Sequence, residues 1–287
     1  VFFHREVLQV VDKNDAVRVA HRYTGDLEGP VEDPESLARE ISDRNFGVGG
    51  DGMILIEPSR QADVKMRIFN ADGSEAEMCG NGVRCVAKYA FDHGLVDRTD
   101  ITIETGAGNL PLTMYPNERE HIDKVRVNMG RPRLTREDLP MVGPANEQVI
   151  NMDLEVLDKT FQVTCVSMGN PHCVIYVDNL DDFPVKKYGY AIENHELFPR
   201  RINVEFVEVI TPNEVRQRTW ERGAGEPLAC GTRASAVTVA GVLTGRTRGK
   251  LLNHLTGGDL EMEWDGKGDV FMTGPAAEVF SGEYIPR

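Results

Sequence analysis

The spacing of apolar and polar residues along the chain predicts three helices. The first covers residues 36–45, after Asp33-Pro34, where Asp can cap a helix and Pro fits its first turn. In the second, over 81–93, apolar residues recur at helical spacing until Gly94. The third covers 232–244, where nearly every side chain is small or apolar up to Gly245. A helix that is apolar all round is predicted to be buried on every side.

Most of the remaining chain predicts short strands separated by Gly, Pro, Asn and Asp. We expect them over residues 53–57, 64–69, 101–104, 110–114, 125–129, 163–167, 174–177, 204–210, 215–220 and 260–264. Many strands with one long buried helix in each half indicate an α/β (α+β) fold of two curled, mostly antiparallel sheets, each around a central helix. The domain boundary is expected at Gly130-Arg131-Pro132.

Composition narrows the functional classes. The 287 residues can bury a sizeable core, and their length favours two domains. A net charge of −14 argues against binding nucleic acid or an anionic membrane, which both need clustered Lys and Arg. No apolar run approaches the roughly 20 residues of a membrane span, and no secretory signal is visible.

The cysteines are odd in number and dispersed. Such a set suits a reducing compartment, so a cytoplasmic location is expected. No Cys-x2-Cys or His-x3-His spacing occurs, and no metal site is expected. The five are Cys79, Cys85, Cys165, Cys173 and Cys230.

Two of these cysteines lie in glycine-rich motifs, Met78-Cys79-Gly80-Asn81-Gly82 and Ala229-Cys230-Gly231-Thr232-Arg233. Each Cys-Gly pair precedes a predicted helix, and the 151 residues between them suggest an internal duplication. Backbone N–H groups and the positive end of the helix dipole stabilise a thiolate at such a position. Two thiols of this kind could remove a proton from one side of a carbon and return one on the other, which is racemase or epimerase chemistry without a cofactor.

The sequence around these motifs resembles the diaminopimelate epimerase family. The resemblance covers the blocks 67–85, 167–173, 203–206 and 221–232, in that order, and the C-terminal Met272-Thr273-Gly274-Pro275-Ala276-Ala277. It implies two similar domains related by a pseudo-two-fold axis, with the active site in the cleft between them. It also implies that the last strand returns to the first domain, giving one domain of residues 1–130 with 276–287, which carries Cys79, and another of 131–275, which carries Cys230.

The implied reaction interconverts LL- and meso-2,6-diaminopimelate, for lysine and peptidoglycan synthesis, in a homodimer without cofactor. Cys79 and Cys230 would be base and acid, exchanging roles with direction. The resemblance implies that His172 and Glu221 assist proton transfer, with Glu221 also contacting the substrate, and that Arg222 pairs with the distal carboxylate. It implies that the backbone of Gly80, Asn81, Gly231 and Thr232 cradles the α-carboxylate, and that Asn70, Asn170 and Asn203 bind substrate.

Three positions depart from the family pattern. The family opens with a Gly-Asn-Asp-Phe block whose Asn binds substrate, and this chain starts at Val1-Phe2-Phe3, just beyond that block. Pro227 stands where the family commonly has Thr, which removes an N–H and stiffens the loop. Arg233 replaces a usual Gly; it either lowers the pKa of Cys230 or strengthens carboxylate binding, or else it points to solvent.

Two rival functions remain open. A proline or hydroxyproline racemase would share the fold, but that group carries His after its first Cys-Gly, where this chain has Asn81, and its substrates offer Arg222 no distal carboxylate. A non-catalytic relative would have lost one thiol, whereas both are present. Cys85, Cys165 and Cys173 are expected to be packed core thiols.

Overall fold

The computed structural model describes residues 5–11, 17–21, 31, 33–223, 225–226 and 231–284. Its helices are α1 (Pro34–Ser42), α2 (Gly80–Asp92), α3 (Val185–Glu193) and α4 (Gly231–Leu243). Its strands are β1 (Arg5–Val11), β2 (Val17–His21), β3 (Gly52–Glu57), β4 (Val64–Asn70), β5 (Glu75–Ala76), β6 (Asp100–Thr105), β7 (Gly108–Pro116), β8 (Ile122–Asn128), β9 (Met152–Val156), β10 (Lys159–Ser167), β11 (Pro171–Tyr176), β12 (Asn203–Thr211), β13 (Glu214–Trp220), β14 (Lys250–Leu255), β15 (Gly258–Glu263), β16 (Phe271–Pro275) and β17 (Ala277–Tyr284).

The chain divides into two compact units. Unit 1 comprises Val1–Val127 with Gly274–Arg287, and unit 2 comprises Asn128–Thr273. In unit 1, β1 pairs antiparallel with both β2 and β17, so the last strand completes the sheet that the first strand begins. Three features named from the sequence lie outside the described residues: Cys230, Pro227 and the chain start at Val1-Phe2-Phe3.

Both units follow the same strand order. In unit 1, β2 pairs parallel with β3, β3 antiparallel with β4, β4 parallel with β6, and β6 antiparallel with β7. Unit 2 repeats these steps with β11, β12, β13, β14 and β15. The helices α2 and α4 begin at Gly80 and Gly231, 151 residues apart. The shared topology confirms the internal duplication that the two Cys-Gly motifs predicted.

The central helix of each unit is almost wholly buried. Every residue from Asn81 to Ala90 in α2 is buried, and in α4 the same holds from Arg233 to Gly241. Helix α2 packs on β1, β2, β4, β6 and β7, while α4 packs on β10, β11, β12 and β15. Contacts with so many strands mean that each sheet curls around its helix, and the predicted fold class is confirmed.

A second helix covers the outer face of each sheet. In unit 1, Leu37 and Ile41 of α1 pack with Met53, Leu55 and Phe69. Because α1 and α2 cover opposite faces of β3, its four central residues are all buried. This explains why β3 is a continuous apolar run instead of an alternating one.

Helix α3, the outer helix of unit 2, was not predicted. It begins after Pro184 with no side-chain cap, and it contains Gly189, a poor helix former. Its buried residues nevertheless follow helical spacing: Val185, Tyr188, Gly189, Ile192 and Glu193. Gly189 is required by packing, because a Cβ there would lie 2.4 Å from the Cβ of Trp220.

The other differences concern element ends and short strands. Helix α1 ends at Ser42, before the predicted 45, since the Asp43 side chain accepts hydrogen bonds from the amides of Asn45 and Phe46 in the turn that follows. Predicted helices α2 and α4 are confirmed. The strands that the pattern did not predict are β1, β2, β5, β9, β14, β16 and β17.

Candidate active site

Cys79 is the N-cap residue of α2. Its backbone is extended, its side chain is half-buried, and its Sγ accepts a hydrogen bond from the amide of Gly82 at 3.4 Å. Gly82 packs tightly against Ile54, because an added Cβ would lie 2.6 Å from Ile54 Cδ1. The sulfur therefore receives an N–H donor at the positive end of a buried helix, the setting that favours a thiolate.

A buried arginine supports the same helix start. Arg84 is fully buried, and it donates to the carbonyl of Gly80 at 3.2 Å and to the carbonyl of Pro275 at 3.2 Å. It thereby ties the segment before β17 to the first turn of α2. The sequence pattern does not predict this role of Arg84, since a charged residue inside a helix is usually solvent-exposed.

Asn70 and Asn81 occupy different settings in unit 1. Asn70 is exposed at the end of β4, and its amide donates to Ser74 Oγ at 2.9 Å across a tight turn. The same turn is fixed by Asp72, whose pKa is lowered by hydrogen bonds from the Ser74 hydroxyl and amide. Asn81 is buried in the first turn of α2, next to Gly80.

In unit 2, Thr232 marks the first turn of α4, immediately after Gly231 and two residues after Cys230. Its Oγ1 accepts a hydrogen bond from Asn170 Nδ2 at 3.4 Å. One turn further, Ser235 Oγ donates to the carbonyl of Gly231 at 2.9 Å, as Arg84 does to Gly80 in unit 1. The structure thus brings Asn170 and Thr232 together.

His172 stands behind Asn170. Its Nε2 lies 2.9 Å from Asn170 Oδ1, and its Nδ1 lies 2.9 Å from Glu205 Oε1. The side chains of His172 and Glu205 are both fully buried. Both ring nitrogens are therefore engaged by protein groups, and a chain of contacts runs from Glu205 through His172 and Asn170 to Thr232.

The Asn203-Val204-Glu205-Phe206 motif did not by itself predict the role of Glu205. A carboxylate between Val204 and Phe206 in a buried strand needs a polar partner, and that requirement was the available signal. The sequence does not show which residue is that partner, because His172 lies 33 residues away and meets Glu205 only through the parallel pairing of β11 with β12.

Asn203 connects two further predicted residues. It is buried, its Nδ2 donates to the carbonyl of Pro171 at 3.1 Å, and its Oδ1 accepts from the amide of Arg222 at 3.0 Å. Arg222 is exposed and donates one guanidinium N–H to the carbonyl of Arg200 at 3.2 Å. Asn203 therefore fixes the backbone that carries the arginine.

Glu221 follows β13 and forms an ion pair with Arg233 in α4. Arg233 Nη2 lies 2.6 Å from Glu221 Oε1, and the arginine is almost wholly buried. Of the alternatives left open for Arg233, the one in which it points to solvent is wrong. The backbone of Glu221 is fixed as well, since it exchanges two hydrogen bonds with Gly225 at 2.6 and 3.1 Å.

The three remaining cysteines are packed in the cores, as predicted. Cys85, Cys165 and Cys173 are all at most 1% exposed. Cys173 lies opposite Cys165 in the β10–β11 pair, and the hydrogen bond between them, with burial, raises the pKa of the Cys173 thiol. Full burial distinguishes these cysteines from the half-buried Cys79, which lies at the start of a helix.

Among the described residues, no helix combines the length and the apolar character needed to cross a membrane. The same residues contain no group of three or more His, Cys, Asp or Glu side chains placed as metal ligands.

Solved structures with the same fold have distant sequences. A phenazine biosynthesis protein of the PhzF family from Bacillus anthracis matches with a TM-score of 0.68 and 19% identity, over 99% of this chain and 100% of that one. A probable proline racemase from Agrobacterium radiobacter K84 matches with a TM-score of 0.67 and 17% identity, over 99% and 93% of the two chains. At this level of identity the likeness concerns the fold.

Sequence relatives are much closer. The chain is 54% identical over 250 residues to a diaminopimelate epimerase from Leptospira biflexa, covering 87% of this chain and 89% of the relative. It is 50% identical over 269 residues to a diaminopimelate epimerase from Agathobacter rectalis, covering 91% and 94%. The family model described as diaminopimelate epimerase matches residues 12–135 and 164–279. On this evidence, the chain belongs to the diaminopimelate epimerase family.

Proposed function

We propose that this chain interconverts LL- and meso-2,6-diaminopimelate by a two-base reaction of Cys79 and Cys230, without a cofactor. Family membership makes the chain an amino-acid epimerase of lysine biosynthesis, an isomerase. The observation that supports the roles of the thiols is the shared topology of the two units. In each unit a cysteine directly precedes the buried central helix, at Gly80 and at Gly231.

The reaction requires one thiolate and one thiol. The thiolate removes the α-proton from one face of the carbon, so a C–H bond breaks and an S–H bond forms. The other thiol delivers its proton to the opposite face, so an S–H bond breaks and a new C–H bond forms. The two sulfurs leave the turnover with exchanged protonation states, and the reverse reaction starts from that state.

Donors at the helix starts would stabilise the charge that develops on the α-carboxylate. The backbone of Gly80 and Asn81, and that of Gly231 and Thr232, lies in the first turns of α2 and α4, where N–H groups have no helical acceptor. Such donors stabilise the carbanionic transition state more than the substrate, because the α-carboxylate carries more negative charge in the transition state. The Asn70, Asn170 and Asn203 side chains would supply further substrate contacts.

The second carboxylate of diaminopimelate would bind Arg222. Its side chain is exposed and donates one N–H to the carbonyl of Arg200, and its backbone amide donates to Asn203. A planar guanidinium can form two parallel hydrogen bonds with a carboxylate. Glu221, one residue earlier, would accept from the α-ammonium group.

Solvent deuterium exchange tests the function. In D2O, we expect LL-diaminopimelate to gain deuterium at one α-carbon as the meso isomer appears. The deuterium content is measured by NMR, and the two isomers are distinguished by chiral separation. L-Proline is the matched control, because it has no distal carboxylate and should not exchange. Exchange of proline without exchange of diaminopimelate would replace this proposal with a proline racemase.

We also propose a homodimeric assembly in the cytoplasm, following the family precedent. Light scattering of the purified protein should give twice the mass of the 31.9 kDa chain. The mass of a single chain at the protein concentrations used for activity assays would contradict the homodimer. Recovery of the protein outside the cytoplasmic fraction of its own cells would contradict the cytoplasmic location.

A further inference from the structure

The ion pair between Arg233 and Glu221 joins two elements of unit 2. Arg233 Nη2 lies 2.6 Å from Glu221 Oε1; the side chain of Arg233 is 4% exposed, and that of Glu221 is 37% exposed. The cation is thus enclosed in the protein, while the carboxylate that it binds reaches the surface. The guanidinium comes from the first turn of α4, and the carboxylate from the segment that follows β13.

The internal duplication shows that this pair is a property of unit 2. Arg233 is the third residue after Cys230, and the third residue after Cys79 is Gly82. Glu221 is the first residue after β13, and the first residue after the equivalent strand β4 is Ala71. Unit 1 therefore has neither the cation nor the carboxylate at these positions.

The backbone of Glu221 is fixed, but its side chain has rotatable bonds of its own. The two hydrogen bonds with Gly225 hold the main chain at 2.6 and 3.1 Å. A carboxylate on a partly exposed side chain would otherwise sample several rotamers, at a cost in side-chain entropy when substrate binds. Arg233 removes that freedom, because a charge-assisted hydrogen bond fixes Oε1 in one place.

We infer that Arg233 is a positioning residue that holds Glu221 by one carboxylate oxygen and leaves the other for the α-ammonium group of the substrate. The inference rests on the proposed contact between Glu221 and substrate. It also assigns the positive charge of Arg233 to Glu221, so that the charge is compensated within the protein before substrate arrives. Arg233, which replaces a usual Gly of the family, thus acts on Glu221, which matches a family residue.

Coupling between two variants tests the inference. Arg233→Met keeps an unbranched side chain and removes the charge, and we expect kcat/KM for diaminopimelate to fall about tenfold, as for loss of a charge-assisted hydrogen bond. Arg233→Lys should recover most of this loss. In a Glu221→Gln background, Arg233→Met should cause no further loss in kcat/KM, because the effect of Arg233 on the reaction would be exerted through the Glu221 carboxylate.

The matched control is Arg216→Met in β13 of the same unit, which removes an exposed ion pair with Asp181 and Glu208. It should leave kcat/KM unchanged. Thermal unfolding identifies variants that do not fold, and if Arg233→Met does not fold, Arg233→Gln, which also removes the charge, takes its place in the coupling measurement.

Losses that multiply in the double variant would overturn the inference, as would wild-type kcat/KM for folded Arg233→Met when Glu221→Gln is impaired. Wild-type kcat/KM for Glu221→Gln would instead refute the proposed role of Glu221. The epimerase reaction itself is tested separately by deuterium exchange, so its failure would be recognised independently.

Discussion

His172 Nδ1 lies 2.9 Å from Glu205 Oε1, and neither side chain is exposed to solvent. The other ring nitrogen lies 2.9 Å from Asn170 Oδ1, and Asn170 reaches Thr232 at the start of α4. We therefore expect His172 to influence the reaction by holding Asn170 in place. Glu205 in turn fixes the orientation of the imidazole.

Removal of Glu205 should damage stability strongly. Glu205→Ala leaves Nδ1 of the buried His172 without its partner, and we expect the free energy of unfolding to fall by about 1–3 kcal/mol. Urea denaturation measures this change. Glu208→Ala is the matched control on the same strand, since its carboxylate is 22% exposed, and it should cost less than about 1 kcal/mol. Equal losses in the two variants would show that the buried pair contributes nothing special.

The sequence predicts the helices that carry the chemistry more readily than the contacts around them. Cys79 and Cys230 precede Gly residues and apolar stretches, and local spacing suffices to predict α2 and α4 there. The partner of Glu205 or of Arg233 depends on strand pairing and helix packing between distant segments. Local spacing contains no information about those, which is why both contacts were missed.

Helix α3 is a different kind of omission. Its apolar spacing was present, but Pro184 and Gly189 are weak helix signals. Gly189 occurs there because Trp220 packs against it, a tertiary requirement that overrides intrinsic helix propensity. Trp220 immediately precedes Glu221, so this packing also supports the candidate site.

Gly189→Ala should therefore affect both stability and catalysis. The added Cβ would lie 2.4 Å from the Cβ of Trp220, so either α3 or β13 must shift. We expect a loss of about 1–3 kcal/mol in unfolding free energy, typical of overpacking, together with a raised KM. Gly282→Ala is the control, because its Cβ would meet nothing within 4 Å. A KM unchanged from wild type would separate α3 packing from the site.

Arg222→Met should weaken recognition of the distal carboxylate. Loss of a charge-assisted hydrogen bond costs about 1.5–3 kcal/mol, so kcat/KM for diaminopimelate should fall about 10- to 150-fold. L-Lysine lacks that carboxylate, so any residual exchange of its α-proton in D2O should not change with the substitution. Equal impairment with both substrates would place Arg222 in a general structural role.

His254 predicts a pH dependence of stability that is independent of catalysis. A hydrogen bond with Glu214 and interactions with Asp259 raise the pKa of His254 above its usual 6.5. A raised pKa in the folded state means that the contribution is complete below pH 6.5 and is lost as pH rises through the folded-state pKa. The side chain is 30% exposed, so the contribution should stay below about 1 kcal/mol. His254→Gln should lower the thermal midpoint at pH 5.5 more than at pH 9; the opposite order would refute the assignment.

The paired action of Cys79 and Cys230 is tested most directly by α-proton exchange in the variants Cys79→Ala and Cys230→Ala. Each would be incubated in D2O with LL-diaminopimelate and separately with the meso isomer, and both deuterium content and configuration would be measured. We predict that neither variant inverts configuration. Each remaining thiol should exchange the α-proton of only one isomer, and the two variants should exchange opposite ones. Inversion by either single variant would contradict the two-thiol reaction.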